Sequence, residues 1–436
     1  MARADDITKL KKRAEGGNVD AQLTLAGIYE SGIGVQADYG LAARWFIEAA
    51  KQGSARAQAI LGEKYLHGYG VDKDLQKAVY WLDKAAREND PGAIANLGWC
   101  HQKGLIFTQD YSKAFKFYMR AAQLQHANSC YNVGFMYASG QGVEQNDLEA
   151  LQWYRLAAKQ GHRKAQLHIG LMYEQGIGVP ADYVEAVEWY RKAARQDYSK
   201  AEFNLANMYA HGRGVPVDHV EAAYWYQRSA GKGYFRAQYV IGLYYLRGLG
   251  VKQDYRKALD WLQKASEQGY RKAQYQLGKM YMQGLGVAVD EDSAVLWFRH
   301  AAAQDYYKAQ YRLGMLYKEG KVLEKDYRKA FECFHTAAEH GYVPAQYRLS
   351  QMYARGRGVS RDYAQAYCWC YLAAMSNEPR AVSTLVKIAK KLDQLALAEA
   401  TRKAEAISGK INTNPDTYDE SQEIKEIDDD TESLSD

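Results

Sequence analysis

The sequence predicts an all-α fold, a solenoid of ten helix-turn-helix repeats of 36 residues each. Three observations carry this. Stepping by 36 from Ala21 lands on Ala57, Ala93, Ser129, Ala165, Ala201, Ala237, Ala273, Ala309 and Ala345, and the register never slips. Within each step, small and apolar residues recur at helical spacing over two separate stretches. Between the stretches a glycine always stands at the same place.

With Ala21 as position 1, positions 1, 5, 8 and 9 share one face of a first helix. Position 5 is Leu, Val or Ile throughout, as at Leu25, Ile169 and Leu277, and position 9 is Tyr except at His101. The glycine at position 12 closes that helix in the left-handed conformation. Position 14 is glycine in eight of ten repeats, replaced by Ile106 and Val322. Asp at position 18, with Asn146 once, is placed to cap the second helix. That helix carries Ala at position 22, Trp at 25 except at Phe117 and Cys333, and only Ala or Ser at 29 and 30. Trp at 25 and Tyr at 9 are expected to fill the space between helices. Pro91 and Pro379 fall where a first helix begins, a position that tolerates proline. One such unit cannot bury both its faces, so neighbours must stack.

The ends follow from the same pattern. Residues 1–20 form an N-terminal capping half-repeat, with Ile7, Leu10 and Ala14 inward and Lys9, Lys11, Lys12 and Arg13 outward. Residues 21–380 are the ten repeats, and 381–408 a C-terminal capping helix. From 409 to 436 the composition turns acidic, which predicts a disordered tail. Residues 416–436 hold ten acidic groups and one lysine, a net of −9, against 56 basic and 42 acidic groups elsewhere, a net of +14.

Catalytic chemistry finds no footing. The Gly284-x-Gly286 pair follows a helix rather than a strand, so it reads as a turn and not as a phosphate loop. Nucleotide, zinc-protease and serine-hydrolase motifs are missing, and no cofactor or metal is expected. His162 and His168 lie six residues apart, which is not a one-face helical spacing. Five scattered cysteines, Cys100, Cys130, Cys333, Cys368 and Cys370, argue for a reducing compartment and buried thiols. The start, MARADDITKLKKRAEGG, has no apolar signal core and no segment is long enough to span a membrane, which points to the cytoplasm.

The stretch AQYQLGKMYMQGLGVAVDEDSAVLWFRHAAAQ resembles a Sel1-like repeat, a relative of the tetratricopeptide repeat, and the likeness extends from Ala21 to about residue 380. The resemblance implies a right-handed superhelix and a non-enzymatic adaptor that holds a protein or peptide partner. Many members of the family are bacterial. In related solenoids the first helix lines the concave surface. Relatives with a disulfide in each repeat do not match here, because this chain lacks the cysteine pair.

On that first helix, position 3 is aromatic at Tyr131, Phe203, Tyr239, Tyr275, Tyr311 and Tyr347, and position 4 turns basic at Arg312 and Arg348. Position 7 is apolar at Trp99, Phe135, Leu171, Leu243 and Met315, yet it is Glu at residue 63, a range no core column tolerates. Aromatic and Arg side chains dominate protein interfaces, so these thirteen residues form the candidate partner surface. The competing reading of position 3 is packing against the next repeat, and the tyrosines at position 34 are read the same way. Nucleic acid is the disfavoured partner class, although cations at position 36 (Arg56, Lys164, Lys200, Arg236, Lys272, Lys308) could form a phosphate stripe. The acidic tail reads as a solubilising segment, an autoinhibitor, or a signal for export without a leader peptide, which would make the chain a bacterial effector acting on host proteins.

Overall fold

The computed structural model describes residues 4–413, which are helical and contain no strand among the described residues. The chain divides into two compact units at Val217/Asp218. The first begins with the capping helix Ala4–Glu15 and continues through pairs such as Val19–Ser31 with Tyr39–Lys51 and Arg163–Gln175 with Tyr183–Ala194. In the second, pairs such as Phe235–Arg247 with Tyr255–Glu267 and Arg271–Gln283 with Glu291–Ala302 repeat the scheme. Within each unit, consecutive helices pack against each other.

The helix ends follow the sequence closely. All ten position-18 residues accept a backbone N–H of the second helix's first turn, as Asp38 does from Leu41 at 2.8 Å and Asn146 from Glu149 at 3.1 Å. The position-12 glycines close the first helices with positive φ, 68° at Gly284. Position 14 has a different task. Gly286 has φ 75°, and a Cβ there would sit 2.5 Å from the carbonyl oxygen of Tyr255, which begins the second helix of the preceding repeat. The turn of one repeat thus lies directly on the backbone of the one before.

The deepest core pairs position 26 with position 6. Tyr118, Tyr154, Tyr190, Tyr226, Phe298 and Phe334 are fully buried at position 26. The small residue at position 6 makes room for the ring: a Cβ on Gly170 would meet Tyr190 at 2.5 Å, and one on Gly278 would meet Phe298 at 2.6 Å. The tryptophans at position 25, expected as filler, are only half-buried, apart from the buried Trp369. A cation three residues on covers several of them, with Lys192 Nζ 3.8 Å above Trp189 and Arg228 5.0 Å from Trp225.

The two repeats that lose the position-14 glycine also lose the position-25 tryptophan. In one, Phe107 stacks on His101 at 4.4 Å and His101 on Phe117 at 5.4 Å, so three departures from the pattern fill one space. In the other, Val322, Leu323 and Cys333 pack on a single cluster. Neither Ile106 nor Val322 adopts a positive φ.

The ends depart from the repeat, and one expectation there needs correction. Ile7 and Leu10 pack on Ala14, Ala21 and Leu25. The expected helix over 381–408 is instead two, Pro379–Ala389 and Gln394–Thr413, both packed on Tyr363–Met375. Asp393 separates them by capping the N–H of Ala396 at 2.8 Å. The second runs past 409 to Thr413, and the remainder of the expected tail, 414–436, lies outside the described residues.

Candidate partner-binding surface

The first helix of each repeat turns positions 1, 5 and 8 inward, which leaves 3, 4 and 7 at the margin of the core. What happens at a margin depends on neighbours. Phe203 is 1 % exposed, Tyr347 6 % and Phe135 8 %. These three leave the candidate surface. Phe135 joins Val133, Met136 and Leu151 in the core of the first unit. Tyr347 is covered by Arg380 at 5.2 Å, and its hydroxyl lies 3.3 Å from Thr384 Oγ1.

The other ten are half-buried. In the first unit Trp99 lies 5.7 Å from His67, which stacks on Tyr69 at 5.4 Å. Tyr69 is 60 % exposed, so the group opens to solvent. Leu171 is half-buried on its own helix. Tyr131 stacks on His162 at 4.6 Å, and its hydroxyl lies 3.3 Å from His168 Nε2. Burial first, then nearby lysines, pushes both histidines down to about 4, so they are neutral at pH 7.

In the second unit the position-3 tyrosines meet those at position 34 edge to face. Tyr239 meets Tyr270 at 5.2 Å, Tyr275 meets Tyr306 at 5.3 Å, and Tyr311 meets Tyr342 at 5.4 Å. One edge of each of these tyrosines packs between repeats, as the competing reading of position 3 has it, and the remainder stays accessible. The position-34 residues trade capping for packing, since Asn18, Ser54 and Asp90 cap a first helix while Tyr234, Tyr270, Tyr306 and Tyr342 make no capping bond. Leu243, Arg312, Met315 and Arg348 complete the half-buried set. Burial, then Arg247, Lys308 and Arg312, holds the Lys279 ammonium below the usual lysine range. The position-36 column is not a continuous exposed stripe, because Arg236 and Lys272 are buried.

One feature escaped the sequence reading. Gln at position 2, in seven of ten repeats, is buried or nearly so and donates to a carbonyl of the preceding second helix, as Gln58 does to Ala50 at 3.1 Å. In four of the seven it also accepts from a Gln at position 32, as Gln166 does from Gln196 at 2.7 Å. The repetition of Gln in both columns was the available signal.

For catalysis there is little to work with. Four cysteines are buried and Cys333 half-buried, and burial pushes Cys100, Cys333, Cys368 and Cys370 up to about 11, which keeps the thiols protonated. Among the described residues no group of His, Cys, Asp and Glu is arranged to hold a metal ion, and no helix is long and apolar enough to cross a membrane.

The Sel1 repeat family model matches ten consecutive segments, from 19–54 to 343–378. The chain belongs to the Sel1-repeat family. Nine of the ten matched segments start two residues before the sequence-derived register, and the ninth, 308–342, starts one before it. Among solved structures, a protective antigen of uropathogenic Escherichia coli strains with an SLR fold is 31 % identical, with 99 % of this chain and 98 % of that one covered and a TM-score of 0.59. A Sel1 repeat protein from Oxalobacter formigenes is 32 % identical over 71 % of this chain and 90 % of its own, also with a TM-score of 0.59. No curated protein matches. Sel1-repeat proteins generally act as protein-interaction scaffolds.

Proposed function

We propose that this Sel1-repeat chain is a non-enzymatic adaptor that holds a protein or peptide partner on the exposed face of its first helices. The observation that carries the reading is the position-7 column. Glu63, Trp99, Leu171, Leu243, Lys279, Met315 and Gln351 share one place in their first helices and are at least partly accessible, although Phe135 and Asn207 of the same column are buried. The columns at 5 and 6 are buried throughout. A column that is accessible in most repeats, varied in kind and rich in large apolar groups fits contact with something outside the chain. Trp99 and Leu171 are the anchors in the first unit. Leu243, Tyr275, Arg312, Met315 and Arg348 are those in the second.

The test compares full-length protein with two variants in crosslinking and affinity purification from native cells. Trp99→Ser with Leu171→Ser should lose a partner that Tyr80→Ser and Leu148→Ser, exposed on second helices, retain. Equal recovery by both variants overturns the assignment.

A further inference from the structure

Charge is distributed unevenly along the chain. Residues 1–217 carry 26 basic and 23 acidic side chains, a net of +3, whereas 218–413 carry 30 and 19, a net of +11. Part of that excess converges on an open cleft in the second unit, lined by Lys318, Arg348, Arg355 and Arg357. Phe334 and Met352 also line it, and Tyr327 forms a wall with Arg357 5.4 Å and Lys325 5.2 Å from its ring. Among the described residues none of the four lining cations forms an ion pair with a carboxylate. Arg348 donates only to Gln351 Oε1, at 3.3 Å. Burial, then Arg348, Arg355 and Arg357, holds the Lys318 ammonium below its ordinary value, with Glu319 opposing them. Like charges gathered on a partly desolvated surface favour a bound anion. The cleft is shallow and open, with room for single side chains of an extended segment rather than for a whole small molecule.

We propose that this cleft is the docking site of the chain's own acidic segment, Asp416–Asp436, with its carboxylates between the four cations. The complementarity is in charge: the segment carries −9, with Glu423, Glu426 and Asp428 to Asp430 close together. The tether suits the distance. The last helix packs through Ala404 and Ile407 on the hydrophobic cluster that contains Phe334 and Met352. From Thr413, the fourteen residues to Ile427 reach up to about 45–50 Å when extended. Attachment at that range supplies an effective concentration on the order of millimolar, so a weak site is filled.

Zero-length carbodiimide coupling of the full chain, followed by peptide mapping, tests this directly. Residues 416–436 should couple to Lys318 and Lys325 at least five-fold more than to other exposed lysines such as Lys159 or Lys390. The yield should be independent of protein concentration and fall in 0.5 M NaCl. Arg348→Glu with Arg355→Glu should reduce it about ten-fold. Replacing Asp428, Asp429 and Asp430 by Asn, outside the described helices, should reduce it without touching the fold. Even coupling to all exposed lysines, or coupling that grows with protein concentration, overturns the proposal.

Discussion

Gln304 donates its side-chain amide to Gln274 Oε1 across 2.8 Å, and Gln274 in turn donates to the carbonyl of Ser266 at 3.4 Å. A single polar line therefore joins the end of one second helix, the adjacent first helix and the second helix of the repeat before. Gln268, Gln238 and Ala230 form the same line, as do Gln52, Gln22 and Ala14 in the first unit. Replacing Gln274 by Leu removes both bonds. The Ser266 carbonyl still accepts from the Gly269 N–H, but the Gln304 amide loses its acceptor, and the change should cost about 1 kcal/mol. Urea unfolding followed by circular dichroism measures it.

Two adjacent aromatics separate depth from prominence. Phe298→Ala should cost about 3–5 kcal/mol, because the ring is fully buried against Gly278. Trp297→Ala should cost less, since that indole is half-buried beside His300. Thermal melts of the two variants should rank in that order.

Gly170→Ala sets two effects against each other. Alanine improves helix propensity by about 1 kcal/mol, but its Cβ would meet the buried Tyr190 ring at 2.5 Å. Overpacking of this kind costs about 1–3 kcal/mol, and the Tyr190 position has no room to yield. The variant should melt lower than the parent chain.

Gln125 holds φ 60° at a turn where Gly53, Gly161 and Gly269 serve the same purpose. A left-handed conformation costs a non-glycine residue roughly 1–2 kcal/mol. Gln125→Gly should therefore raise stability by about 1 kcal/mol, read as a higher melting temperature.

His162 and His168 give stability a pH dependence of known sign. Both are held at about 4 in the folded chain, below the unfolded value near 6.5. Between those values the unfolded state binds more protons, so stability is full above about pH 6.5 and declines as pH falls toward 4. His168→Phe should flatten that decline in melts taken from pH 7 to pH 4.5.

The repeat, its caps and its turns were legible because each column serves a demand that few residue types meet: Asp38 and its equivalents cap, and Gly284 takes a positive φ. Depth was less legible. Trp225 looked more central than Tyr226 because its column is more uniform, yet Tyr226 is buried and Trp225 half-buried. Position 26 is Phe, Tyr, Leu or Cys across the ten repeats, and that variety hid its importance. Phe135 and Phe203 misled for a related reason. Helical spacing places them at the rim of the core, and only the packing of neighbours decides whether a rim side chain is covered. The glutamine lines were missed because Gln on a helix ordinarily reads as solvated.

Gly286 resting on Tyr255 has an outcome at the level of the gene. Every seam of this type is made by the same two columns, whichever copies happen to meet. Loss of residues 237–272 would bring Gly286 against His219, the very residue Gly250 now covers. Copy number can therefore change by unequal recombination with no new interface to invent, and the array can be lengthened or shortened only in steps of 36 residues.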